Sequence, residues 1–159
     1  MNAIIKKTSY EIDIVVERTL ADVFSFFSDL QNHVYLHPLL KSVRIAQQFR
    51  DEEGQNVTIF EIQERVKVWK SIFIPKTYLA HRVLLEEENT CIFTVRSFPS
   101  ISLSCTYQFT ASNTNHTHIL EQVTINAPLG LSSFVTKTAR NAHLTLLRQL
   151  KQYLEKKNN

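Results

Sequence analysis

The sequence predicts an α+β fold in which a curved antiparallel sheet of six or seven strands wraps around one long C-terminal helix. Three observations predict it. Apolar residues recur with period two from Leu39 to Ala127, they recur at helical spacing from Leu131 to Leu154, and two short helical segments separate the first strand from the rest.

Residues 8–16 alternate, with Tyr10, Ile12, Ile14 and Val16 on one face and Glu11 and Asp13 on the other, which predicts a half-buried strand. Thr19, three residues before Asp22, is a variant of the capping box. Leu20, Val23, Phe24, Phe27 and Leu30 then fall on one helical face, so 20–28 is expected to be a short amphipathic helix. A second helical turn is expected over 30–36, ending before Pro38, because proline disfavours the α conformation of its predecessor.

Six strands should follow, marked by Val43, Ile45 and Phe49; by Phe60, Ile62, Val66 and Val68; by Leu79, Val83 and Leu85; by Cys91, Phe93 and Val95; by Leu103, Cys105, Tyr107 and Phe109; and by Ile119, Val123 and Ile125. Short polar turns between sequential strands predict an antiparallel meander. Pro128 and Gly130 close the sheet, and a helix is expected from 131 to 156, roughly 40 Å long. With no repeat, low-complexity stretch or linker, 1–159 reads as one domain.

The chain has 159 residues, 43% of them hydrophobic and 21% charged, which is ordinary globular composition. The net charge is +3 and its lysine pairs, Lys6-Lys7 and Lys156-Lys157, lie near the ends, so no basic stripe suggests a nucleic-acid partner. No apolar run reaches the roughly 20 residues a membrane helix needs, and the N-terminus lacks a secretory pattern, so a cytoplasmic location is expected. Cys91 and Cys105 fall diagonally on neighbouring strands, a poor geometry for a disulfide, and are expected to be free, half-buried thiols. Two glycines exclude Walker and dinucleotide loops, and no G-x-S-x-G elbow is present. No cofactor and no metal are expected, because the helical histidine lacks a ligand at i+3 or i+4.

A sheet wrapped around a single helix leaves room near its mouth, with the two short helices as a lid, and apolar hollows of that kind hold small molecules. Ala139 and Ala142 on the inward stripe leave volume there, although small residues also allow close helix–sheet contact. Tyr35, His37, Phe60, Ile62, Phe93, Tyr107, Phe134, Ala139, Ala142 and His143 are the candidate ligand-binding residues. Four polar residues interrupt apolar stripes: Glu64, His81, Glu121 and His143. A buried carboxylate without a partner is costly, so these groups should be paired, wet or near a cavity mouth. They are the candidate acid/base residues. Twisted strands and single-residue bulges also place polar groups on inward positions for structural reasons alone.

The order of elements, together with Val23-Phe24, Asp29 and His37-Pro38 followed by Val43, resembles the START-like or SRPBCC superfamily, and most of all its polyketide cyclase/dehydrase branch. The resemblance implies the helix-grip fold and a cavity for a lipid, quinone or polyketide-like ligand. The chain departs from the pattern at Tyr35-Leu36-His37, where a tryptophan commonly precedes the His-Pro pair. It also lacks the glycine-rich loop of the pollen-allergen branch. Three readings stay open: a carrier or sensor of a hydrophobic molecule, a cyclase/dehydrase using Glu64, His81, Glu121 or His143, and an interaction module with a filled core. Trp69 beside Lys67 and Lys70 would suit transient contact with a membrane surface.

Overall fold

The computed structural model describes residues 3–156, so Lys157 of the terminal lysine pair lies outside the described residues. The elements run β1 (Ile5–Val16), α1 (Leu20–Ser28), a 3₁₀ helix (Leu30–Tyr35), β2 (Leu40–Arg50), β3 (Asn56–Trp69), β4 (Ile72–Leu85), β5 (Thr90–Ser97), β6 (Ile101–Asn113), β7 (His116–Pro128) and α2 (Ser132–Lys156). All seven strands join one antiparallel sheet in the order β1-β7-β6-β5-β4-β3-β2. The first strand therefore closes against the last, which is what curls the meander around α2.

The inward face follows the alternation. Ile12 and Val16 of β1, Phe93 of β5, Tyr107 and Phe109 of β6, and Ile119, Val123 and Ile125 of β7 are buried in one cluster with Leu146, Leu147, Leu150 and Leu154 of α2. Each large side chain fully withdrawn from water there contributes about 1.5–3 kcal/mol before ordering costs. The Thr19 side chain caps α1, accepting from the Asp22 amide at 3.2 Å. The C-terminal carbonyls of α1 are taken up from outside the helix: Asn32 donates to Phe26 O at 2.8 Å, His33 Nε2 donates to Phe27 O at 2.8 Å, and Arg82 donates to Ser28 O. Both short helices are thereby locked to the sheet, with Val23, Phe27, Leu30 and His33 buried.

Three local expectations change. The second helical turn is 3₁₀. In β2 the face alternation breaks at a bulge between Ile45 and Gln47, so Val43 is buried while Phe49 opposes Val57 and is exposed. In β4 the inward residues are Tyr78, Ala80 and Arg82, and Leu79 is exposed. Both faces of β4 carry apolar side chains, so periodicity alone does not choose between them. The cysteines are free, as expected, but fully buried rather than half-buried, and Cys91 opposes Tyr107 while Cys105 opposes Phe93.

Candidate functional site

The helix α2 packs chiefly on β1 and β7, at one side of the curved sheet. Between it and the middle of the sheet lies a cavity of about 200 Å³. Its sheet wall is built from Ile62, Ala80, Phe93, Leu103 and Tyr107, its helix wall from Phe134, Ala139, Ala142 and Leu146, and one end from Leu30, His33 and His37. The wall is mostly apolar, with a small set of polar side chains set into it.

The deepest pair joins β7 to α2. Glu121 is fully buried (0% exposed) and hydrogen-bonded to Nδ1 of His143, with the Tyr10 hydroxyl 3.3 Å from the same nitrogen. Burial pulls the His143 imidazole down, but the Glu121 carboxylate and the Cys105 sulfur push it up further, so it holds its proton well above the usual histidine range. His143 also lines the cavity. The second Glu121 oxygen has no hydrogen-bond partner among the described residues. Cys105, Glu121 and His143 bring a sulfur, a carboxylate oxygen and an imidazole nitrogen within 4.8 Å of one another, so they are the residues that could hold a metal ion.

A second pair joins neighbouring strands. Tyr78 donates its hydroxyl proton to Glu64 at 2.5 Å, and Lys76 lies opposite Glu64 across the β3–β4 ladder. Burial raises the Glu64 carboxyl above its ordinary value, while the Tyr78 bond and the Lys76 charge hold it partly down. Two further histidines line the cavity uncharged. His33, whose Nε2 bonds to a carbonyl and must therefore carry the hydrogen, is pulled down to about 4 by burial. His37 is lowered by burial and by the neighbouring His143 charge. Its Nδ1 accepts from the Leu39 amide at 3.2 Å, which places the proton on Nε2 as a free donor, and its ring meets that of His143 edge-on at 5.8 Å.

Of the residues singled out in the sequence, Glu64, His37, Ile62, Phe93, Tyr107, Phe134, Ala139, Ala142 and His143 line the cavity. Glu121 lies behind His143 rather than on the wall. Three fall elsewhere. His81 is exposed, opposite Ile59 and Thr94, on the outer face that the β4 parity dictates. Tyr35 is 87% exposed at the end of the 3₁₀ helix, and Phe60 is buried beneath the Arg82 guanidinium, 5.2 Å from its ring centre. The sequence reading missed His33, Tyr78, Lys76 and Tyr10. His33 lies within the apolar run Leu30–Val34–Leu36, and that interruption was the available signal. Tyr78 shares the inward parity of Ala80, which the outward Leu79 and Val83 concealed.

No family model matches the chain, and no curated protein sequence does. Solved structures do. The Zhui aromatase/cyclase from Streptomyces sp. R1128 superposes with a TM-score of 0.75 at 12% identity, covering 97% of each chain. Norcoclaurine synthase from Thalictrum flavum, in complex with dopamine and hydroxybenzaldehyde, gives 0.68 at 11% identity over 98% of this chain and 90% of that one. A START superfamily protein from Mycobacterium smegmatis gives 0.67 at 12% identity over 93% and 97%. At such identities the likeness speaks for architecture alone, and that architecture is the helix-grip fold of the START-like, SRPBCC superfamily.

Proposed function

We propose that this chain holds a small hydrophobic molecule with one polar end in the cavity between α2 and the sheet, as a carrier or sensor. The observation that carries the reading is the cavity itself, an apolar wall with its polar groups gathered around His37, Glu64, Tyr78 and His143. Its volume of about 200 Å³ is somewhat larger than the roughly 150 Å³ hollow that admits benzene, so one or two rings or a short chain fit. The dopamine and hydroxybenzaldehyde bound in the norcoclaurine synthase structure are ligands of that size. The polar end would meet the Nε2–H of His37 and the charged imidazole of His143, both donors, so a carbonyl, phenolate or carboxylate oxygen suits the site.

A second reading, acid/base catalysis of the cyclase/dehydrase kind, is favoured by one specific observation. The cavity holds two acid/base pairs in different states, a charged His143 backed by Glu121 and a Glu64 carboxyl raised by burial. His81, exposed on the outer face, drops out of that reading.

Displacement of an environment-sensitive apolar dye by a panel of small aromatic and short-chain oxygenated compounds tests the proposal. Binding to the parent and its loss in Ala142→Leu, with the fold intact, is expected. If Ala142→Leu instead destabilises by about 1–3 kcal/mol and no compound displaces dye from the parent, the space is packed core. Conversion of a bound compound, lost in Glu64→Gln or His143→Gln while binding persists, would select the catalytic reading.

A further inference from the structure

The ladder registers leave part of the sheet unsupported. Pairing of β2 with β3 ends at Leu40 opposite Glu64, and pairing of β4 with β5 begins at Ala80 opposite Val95. Arg65 N–H makes a last bond to Leu39 O at 3.0 Å, and from residue 66 to residue 79 the β3–β4 hairpin is paired only with itself, a two-stranded arm projecting beyond the sheet. A two-stranded ribbon alone buries little apolar surface and is marginally stable in water. This one carries Val68, Trp69, Ile72, Phe73 and Ile74 exposed, with Trp69 at 66%.

The arm has two faces. Ile74 opposes Val66 and Ile72 opposes Trp69; Ile72 and Ile74 share the inward side by alternation, and the bulge between Lys67 and Trp69 brings Trp69 to the side of Val66. That side continues without a break into the cavity, because Val66 and Lys76 of the arm line it. Arg65 and Lys67 lie on the other side, with the Arg65 guanidinium 4.7 Å above the Phe73 ring, and Lys70 stands at the turn. Between residues 65 and 79 there are four cations, Arg65, Lys67, Lys70 and Lys76, and no acidic residue. Apolar surface continues around the mouth. Phe134 of α2 lines the cavity and is exposed, and Phe98, 85% exposed, is tied to the arm through Lys76, which donates to its carbonyl at 3.2 Å.

We infer that this arm docks on an anionic lipid surface, with Trp69 and Ile72 entering the interface, Lys67 and Lys70 meeting the headgroups, and the cavity mouth facing the bilayer. A tryptophan, aliphatic side chains and lysines without acidic neighbours are the residues that an interface accommodates at once. A second strand is the poorer occupant. Pro75 lacks an N–H on one edge, and lysines on the other blunt strand addition. An apolar molecule held in the cavity would then pass between protein and lipid without crossing water, but the docking does not depend on the cavity being occupied.

Trp69 is the sole tryptophan of the chain, so its fluorescence reports the arm alone. The experiment adds vesicles of phosphatidylcholine, with and without phosphatidylserine, to the purified protein at low salt. A blue shift of Trp69 emission with the phosphatidylserine vesicles, and quenching by brominated acyl chains, is expected. Lys67→Gln with Lys70→Gln should weaken partition about 25-fold, near fivefold per charge. Ile72→Ser should remove most of the blue shift while circular dichroism shows the sheet unchanged. No shift with anionic vesicles, or an equal one with neutral vesicles, overturns the inference. A shift that grows with protein concentration without lipid assigns the arm to a second copy and overturns it as well.

Discussion

Acidification should unfold this protein partly through one buried histidine at the closed end of the cavity. His33 is 4% exposed, packs its ring 4.5 Å from that of Phe27, and gives its only N–H to the Phe27 carbonyl. Burial lowers its folded value to about 4, against 6.5 for an unconstrained histidine. The unfolded chain therefore takes up a proton below pH 6.5 that the folded chain refuses until about pH 4. Stability is present above 6.5 and is lost as pH falls across that window. At about 1.4 kcal/mol per pH unit, the loss reaches about 3 kcal/mol near pH 4, a large share of an ordinary domain's 5–15 kcal/mol. His37 acts in the same direction, whereas His143, whose folded value is raised, contributes stability below 6.5 and loses it as pH rises through that folded value. Urea denaturation of the parent and of His33→Gln across this range isolates the residue. The advantage of the parent should shrink by about 3 kcal/mol between neutral pH and pH 4. A constant difference, or an NMR titration of His33 centred near 6.5, would show that the folded chain does not hold His33 neutral.

Glu121→Gln should cost about 3 kcal/mol, the lower end for a broken buried pair, because His143 can shed its proton once the carboxylate is gone. Its NMR titration should move from above the usual histidine range to below it. Tyr78→Phe removes the donor to Glu64 and should cost about 1–3 kcal/mol, more at pH 8 than at pH 5, since the raised Glu64 loses stability as pH rises through its folded value. Burial pushes the Cys91 thiol to about 12 and raises Cys105, so neither should react with a thiol reagent at mild alkaline pH until urea unfolds the chain. Fast labelling of the native protein would contradict that burial.

The parts of the fold legible in the sequence are those in which one face alone is apolar. β1, β6 and β7 bury the residues their alternation selects, and α2 buries the lower part of its stripe, from Ala142 to Leu154. Where both faces carry apolar residues the choice fails. In β4, Leu79 and Val83 compete with Tyr78 and Ala80, and the wrong parity took His81 for an inward group. In β2, the bulge after Ile45 reverses the face of Phe49. Glu121 and His143 were individually visible as polar breaks in apolar stripes. Their meeting was not, because it depends on how β7 packs against α2, a contact between residues 22 positions apart. The projecting arm was invisible for a similar reason, since its exposure follows from where β2 and β5 stop.

The cavity between α2 and the sheet is the proposed binding site. Native mass spectrometry of the purified protein, followed by organic extraction and identification of what is released, tests it most directly. An added mass of a small oxygenated hydrophobic molecule, lost in Ala142→Leu, is the expected result. A clean unliganded mass, together with no thermal shift against a panel of such compounds, would contradict it.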